Sequence, residues 1–290
     1  MRSSGKGLLF VIISGIVFGV MPSAVSYCYA QGATTVMMVF FRYFLLSAVL
    51  LLRRRTLGGL WTDFLMYAKT LLPLGLCGAA TPMLLFSAYR YLPTGVTTTI
   101  HYLYPMLVTL LCVAVFREKI NRTKLLCVLL CLVGIGSMLD LSGGGLSRLG
   151  IVLAAASSVT WACYIVFLDK LDYGKLPSAD IMLYVALISQ SLFLVYGLIT
   201  RSFSLDMKPM GWGAVLLTDL VIAIFGSLFF ALGARRTNAQ AAAIASTLEP
   251  IVSILIGAVF LHETVNLRTA VGMVLILTAV ILLSVNENKK

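Results

Sequence analysis

His101–Asn121 reads HYLYPMLVTLLCVAVFREKIN, and Ser246–Asn266 reads STLEPIVSILIGAVFLHETVN. In each stretch Pro stands fifth, Glu eighteenth and Asn twenty-first, so the two share one frame at an offset of 145 residues, from Pro105 to Pro250 and from Glu118 to Glu263. The offset extends outward almost unchanged: Gly7, Ser14 and Phe18 of GLLFVIISGIVFG match Gly150, Ser157 and Trp161 of GIVLAAASSVTWA at 143 residues. A chain of 290 residues that repeats at about half its length divides into two similar units, 1–141 and 146–290.

Composition sets the medium. Of the residues, 60% are hydrophobic and 11% charged, where soluble domains carry about 25% charged residues. A bilayer-spanning helix needs about 20 apolar residues, and ten such runs are present, at 6–29, 33–52, 70–90, 93–116, 122–140, 147–169, 179–200, 211–234, 238–261 and 266–285. The expected fold is an all-α membrane protein of ten transmembrane helices. The first run, behind MRSSGK, is too long for the apolar region of a signal peptide and no A-x-A site follows it, so it is expected to be retained.

The net charge of +11 does not describe a nucleic-acid face, because the basic residues stand in short clusters between apolar runs. With both termini in the cytoplasm, inner segments carry 16 Lys and Arg, outer segments carry 5, and Arg42 lies inside a helix. That bias is the positive-inside rule for an even helix count, and it predicts a multi-pass protein of the cytoplasmic membrane. Five helices per unit is an odd number, so the second unit enters the membrane from the opposite side. Glu118 is then expected at the cytoplasmic face and Glu263 at the outer one. Duplication also serves simply to build a stable bundle, but inverted repeats recur in secondary transporters, where the two halves exchange roles as a central site opens to either side.

All six cysteines fall inside predicted helices, where a thiol packs as a small apolar group, and they do not form a disulfide framework. Cys127 and Cys131 share a helix face, but no second pair or nearby His completes a metal site. Neither metal nor cofactor is expected.

These residues carry a resemblance. The two units resemble tandem EamA domains of the drug/metabolite transporter superfamily, each of which ends in a Pro-containing helix, a Glu at its end and a final apolar helix. Here those are Pro105 with Glu118 and LLCVLLCLVGIGSML, then Glu249–Pro250 with Glu263 and AVGMVLILTAVILLS. FRYFLLSAVLLL resembles the Arg-bearing second helix, and Phe18 stands where Trp is common. The resemblance implies export of amino acids, their derivatives, other metabolites or toxic compounds. Direction is implied by the resemblance alone.

An ionisable side chain at mid-helix costs about 2.5–3.5 kcal/mol on insertion scales, so each is a functional candidate that requires a partner. Four qualify: Arg42, His101, Asp219 and Glu249. Arg42, between MMVFF and YFLLSAVLLL, either grips a substrate carboxylate or holds a fixed ion pair. Glu249 precedes Pro250, which frees a carbonyl one turn back; beside such a break a carboxylate binds a substrate amine, takes up a proton or serves the kink itself. Asp219 falls about two turns from the expected outer end of its helix, where it either titrates or reaches the interface. His101 in TTTIHYLYP is a proton-relay candidate by its ordinary titration range, although a lone His beside Thr and Tyr is more often simply hydrogen-bonded.

Tyr89, Tyr102, Tyr104, Trp161 and Tyr164 can line a pocket for an organic solute, and Tyr102 and Trp161 lie farthest from the expected loops. The substrate-binding set is therefore Arg42, Tyr102, Trp161 and Glu249, and the proton-coupling set is Glu249, His101 and Asp219. Gly15 and Gly19 form a GxxxG that permits close helix contact within one chain. Nothing in the sequence fixes an oligomeric state, and a monomer suffices.

The expected function is a secondary transporter of small organic solutes, amino acids or related metabolites, working by alternating access. The alternatives are a multidrug or toxic-compound exporter of the same superfamily and, from another class, an intramembrane enzyme. No H-E-x-x-H or G-x-S-x-G supports an enzyme. No P-loop allows ATP to drive the chain, no filter-like run indicates a channel, and residues 6–29 lack the acidic residue of a four-helix cation exporter.

Overall fold

In lipid a backbone satisfies its polar groups internally, which here means helices, and every regular element among the described residues of the computed structural model is helical. The structure describes residues 5–54, 58–116, 122–138, 146–203, 206–229, 248–263 and 266–287. In chain order the helices are α1 (Gly5–Ala30), α2 (Thr35–Arg54), α3 (Leu60–Ala88), α4 (Thr94–His101), α5 (Tyr104–Phe116), α6 (Arg122–Met138), α7 (Arg148–Lys170), α8 (Ser178–Ile199) and α9 (Pro209–Val221). A π-helical segment (Ile222–Leu228) continues α9, followed by α10 (Leu248–Phe260) and α11 (Leu267–Glu287).

Seven stretches among the described residues are long and apolar enough to cross a bilayer: Leu9–Ala30, Thr35–Arg54, Leu60–Ala88, Thr94–Val115, Arg148–Leu168, Ala179–Ile199 and Pro209–Ser227. Shorter apolar helices occupy Leu125–Gly134, Leu248–Phe260 and Ala270–Ala279. The chain is a multi-pass membrane protein. Its lipid-facing surface carries the side chains expected of one, with Leu52, Ile199, Leu216 and Leu217 all exposed.

Two predicted runs are redrawn. The third begins at Leu60 rather than residue 70, because Asp63 and Lys69 interrupt the apolar run without ending the helix; the chain instead kinks at Tyr67, with φ −109° and ψ 16°. The fourth is broken into α4 and α5. Pro105 has no N–H for the carbonyl of His101, and the chain turns through Tyr102 and Leu103, whose N–H groups reach Thr98 O (2.9 Å) and Ile100 O (3.1 Å).

The helices of residues 1–141 pack chiefly on those of residues 146–290. α3 lies on α7 and α8, α2 on α8, α1 on α10, and α6 on α11. Small residues permit this closeness, as expected where lipid is as apolar as Leu and packing drives association. A Cβ on Gly19 of α1 would stand 2.8 Å from the carbonyl oxygen of Glu249, and one on Gly95 of α4 would stand 2.9 Å from the Cα of Ile254. The GxxxG of α1 thus serves contact within the chain. Two buried clusters result, each drawing on both units: one around Val25, Met37, Leu74, Phe86 and Tyr184, the other around Ile100, Tyr102, Cys131, Ala154 and Ile276.

Candidate functional site

Arg42 sits in the body of α2 and keeps partial exposure inside the bundle. Its Nη1 reaches Met21 Sδ of α1 at 3.7 Å, and its guanidinium carbon stands 6.0 Å from the centre of the Phe86 ring of α3. The partner that burial demands is therefore soft and aromatic, in the range of a cation–π contact, rather than a carboxylate in direct contact. Glu249, the second residue of α10, also keeps partial exposure. Its position is fixed on the backbone side by Gly19, whose missing Cβ lets α1 approach the Glu249 carbonyl.

The two opposite charges lie within electrostatic reach of each other, without direct contact among the described residues. The charge of Arg42 bears on Glu249, Tyr89 and Tyr164, and the charge of Glu249 bears on Tyr89 and Tyr104. Aromatic rings complete the set: Trp161 and Tyr164 of α7 stack at 4.9 Å and 5°, and Tyr104 of α5 meets Trp161 edge-on at 6.3 Å. Five different helices, α2, α3, α5, α7 and α10, thus supply a cation, an anion and flat apolar surface. Such a set can orient a small amphoteric solute by its charged ends and hold its body against rings.

Of the sequence-predicted residues, Arg42 and Glu249 lie within electrostatic reach of each other, and Trp161 lies against Tyr104 and Tyr164, on which their charges also act. Tyr102 is 1% exposed and lies in the core at the α4–α5 turn, with its ring 5.2 Å from that of Tyr104; it stands behind the aromatic wall. Tyr104 and Tyr164 take the more forward places. Met21 and Phe86 were not legible as site residues, since each reads as ordinary helix filler.

His101 is 6% exposed, and its Nδ1 lies 2.9 Å from Ser157 Oγ of α7. The Ser157 hydroxyl donates to Ala154 O at 2.6 Å, so the imidazole Nδ1–H is the donor to Ser157. The pair ties α4 to α7. Asp219 does not reach an interface. It is fully buried, and among the described residues neither carboxyl oxygen has a hydrogen-bond partner.

Polar ties also join the units near the helix ends. Glu263 Oε1 and Oε2 accept the Thr94 N–H at 2.8 and 2.9 Å, and Oε2 accepts the Thr94 hydroxyl at 2.9 Å, which caps α4. Glu118, its counterpart in the repeat, lies outside the described residues. At the other end Arg54 closes on Asp63 at 3.5 Å and Asp180 at 3.3 Å, and Tyr184 donates to Leu60 O at 2.9 Å.

Comparison with known proteins agrees with this architecture. The model of the EamA-like transporter family matches residues 5–139 and again 148–285. The chain is 29% identical over 202 residues to the "Uncharacterized transporter YvbV" of Bacillus subtilis, covering 67% of this chain and 64% of that one. The match thus spans just under two thirds of that relative. It is 27% identical over 233 residues to "Protein PecM" of Dickeya dadantii, covering 78% and 74%. It is 27% identical over 209 residues to a "Probable amino-acid metabolite efflux pump" of Salmonella typhimurium, covering 67% and 68%. A solved crystal structure aligns over 99% of both chains with a TM-score of 0.59 at 18% identity, a likeness of fold. With two tandem matches that together span nearly all of its length, this chain belongs to the EamA-like transporter family, within the drug/metabolite transporters.

Proposed function

We propose that this protein is a secondary transporter of small amphoteric organic solutes, amino acids or related metabolites, exporting them across the cytoplasmic membrane by alternating access. The observation that carries the reading is that Arg42 and Glu249 act electrostatically on each other and both on Tyr89, with the Tyr104, Trp161 and Tyr164 rings in the same part of the bundle. A cation and an anion inside the bundle, each still partly accessible, suit the carboxylate and ammonium ends of one solute, and the "Probable amino-acid metabolite efflux pump" among the relatives points the same way. Arg42 grips the carboxylate, Glu249 the amine, and Trp161 the body, with Tyr102 buttressing the wall through Tyr104.

The architecture that goes with this reading is ten transmembrane helices in two inverted five-helix units, 1–141 and 146–290, with both termini cytoplasmic. The end ties support it. Thr94 with Glu263, and the Thr34 hydroxyl with Ser202 O at 2.5 Å, join segments expected outside. Arg54 with Asp180 joins segments expected inside. Proton coupling falls to one member of the ionisable set Glu249, His101 and Asp219.

The test is solute flux in proteoliposomes with Arg42→Ala. The reading predicts loss of flux of amino acids that the parent carries, with the variant still inserted and monodisperse. Normal flux in that variant removes Arg42 from the site and this reading with it.

A further inference from the structure

Asp219 stands on α9 three residues before the chain passes into the π-helical segment Ile222–Leu228. Its side chain is 0% exposed, and both carboxyl oxygens are without a hydrogen-bond partner among the described residues. A charged carboxylate in such a place costs several kcal/mol unless it is paired and hydrogen-bonded, and the neutral acid is the form a dry helix contact tolerates. Among the described residues, two ionisable groups bear on it. From α1 comes Cys28, itself 0% exposed, whose Sγ lies 3.9 Å from the hydroxyl of neighbouring Thr218. From α2 comes Arg42, whose charge bears on Asp219 while its guanidinium rests on Met21 and Phe86. The π-helical segment, IAIFGSL, contributes no ionisable group.

The contact between α1 and α9 is also loosely filled. An apolar groove of about 250 Å³ runs along it, lined by Val17, Met21 and Ala24 of α1 and Thr218 and Val221 of α9 and opening outward past the exposed Ile16, Val20 and Leu217. α1 holds the π segment directly as well. The Ser14 hydroxyl donates to Gly226 O at 2.8 Å, and the Phe18 ring sits where a Cβ on Gly226 would be, 2.8 Å away.

π-helical turns are rare and concentrate at functional positions. They hold one more residue per turn than the α form, so relaxing a π turn to α shifts the register by one residue. That step turns the preceding helix by about 100° relative to the following one. Here it would swing Asp219 out of the α1 contact.

We propose that Asp219 is the proton-binding group of this transporter and that the α/π register of residues 222–228 reads its state. The neutral acid docks against α1 with the π segment formed. On ionisation the carboxylate leaves the contact as the segment relaxes to α, passing its proton to water that reaches the opened contact and exposing Cys28. This rests on the transporter reading for its purpose, but the test uses no solute, so the two fail separately.

The test takes the full chain in liposomes with Cys28 as its single cysteine and follows alkylation by N-ethylmaleimide as a function of pH, with and without Asp219→Asn. Because Asp219 bears on the Cys28 thiol, thiol ionisation is followed separately in each protein by thiolate absorbance and divided out of the alkylation rate. One linked proton adds up to about tenfold per pH unit to the opening equilibrium, so the parent should show the steeper dependence and the Asn variant should lose the excess. Equal slopes overturn the proposal. Infrared spectroscopy of the unmodified protein gives a second readout that needs no variant. A carbonyl stretch of a carboxylic acid free of hydrogen bonds, present at neutral pH and lost on raising it, is expected, and its absence overturns the proposal.

Discussion

Replacing Glu263 by Ala should destabilise the protein by about 2–4 kcal/mol, a large effect for a residue outside the helices. The side chain accepts two donors of Thr94, the N–H shared between its oxygens at 2.8 and 2.9 Å and the hydroxyl at 2.9 Å. Hydrogen bonds to a charged group contribute about 1.5–3 kcal/mol each, and an orphaned buried N–H costs about 1–3 kcal/mol. Thr94 is 1% exposed, so water cannot take over its N–H in the closed bundle. The terms overlap, since they describe one cap, and the partial exposure of Glu263 places the total below their sum. Glu263→Gln, which keeps one acceptor oxygen, should lose about half as much, and Thr94→Val, which removes the hydroxyl alone, about 1 kcal/mol. The assay is equilibrium unfolding in mixed detergent micelles followed by tryptophan fluorescence. A Glu263→Ala protein within about 0.5 kcal/mol of the parent, the range of an ordinary surface substitution, would refute the cap as a tie between the two units.

Three further outcomes follow from the same geometry. Glu249→Gln should raise the KM for an amino-acid solute severalfold while leaving the pH dependence of flux intact, because Glu249 is assigned to the solute amine and Asp219 to the proton; pH-resolved flux measurements check it. Gly19→Ala should destabilise by about 1–3 kcal/mol through overpacking, since the added methyl meets the Glu249 carbonyl and the Val252 side chain, and the unfolding assay above measures it. Ser157→Ala should cost about 1–3 kcal/mol by leaving the buried His101 Nδ1–H without its acceptor, with flux reduced no further than that loss explains.

The helical fold was legible because lipid allows an apolar chain few choices, and apolar runs near 20 residues announce themselves. Where the reading slipped, the cause was local. Asp63 and Lys69 cut the apolar count of α3 short although a helix readily carries two charges at its entrance. The α4–α5 break was marked by Pro105, but its place at Tyr102 and Leu103 depends on which N–H groups find carbonyls once the Pro has withdrawn. The π segment left no sequence signature, because its residues are ordinary helix formers and its register is set by contacts with Ser14 and Phe18 of α1.

The candidate site was legible in its charges and less so in its walls. Arg42 and Glu249 stood out because a charge in an apolar run is costly whatever surrounds it. Tyr102 was favoured over Tyr104 on distance from loops, but the two residues lie on opposite sides of a helix break. The break buries the first and brings the second to Trp161. For Asp219, a proton-coupling candidate, counting turns left open whether it titrates or reaches the interface, since depth along a helix says nothing of how neighbouring helices enclose it, and it is fully buried.

The most direct test of the transporter account is flux of a panel of amino acids and related metabolites into proteoliposomes of the purified protein, with and without an imposed pH gradient. The account predicts that at least one amphoteric solute is concentrated under the gradient, only equilibrates without it, and is carried by neither empty liposomes nor the Arg42→Ala protein. Flux indistinguishable from empty liposomes across the panel, or flux that Arg42→Ala leaves untouched, would contradict it.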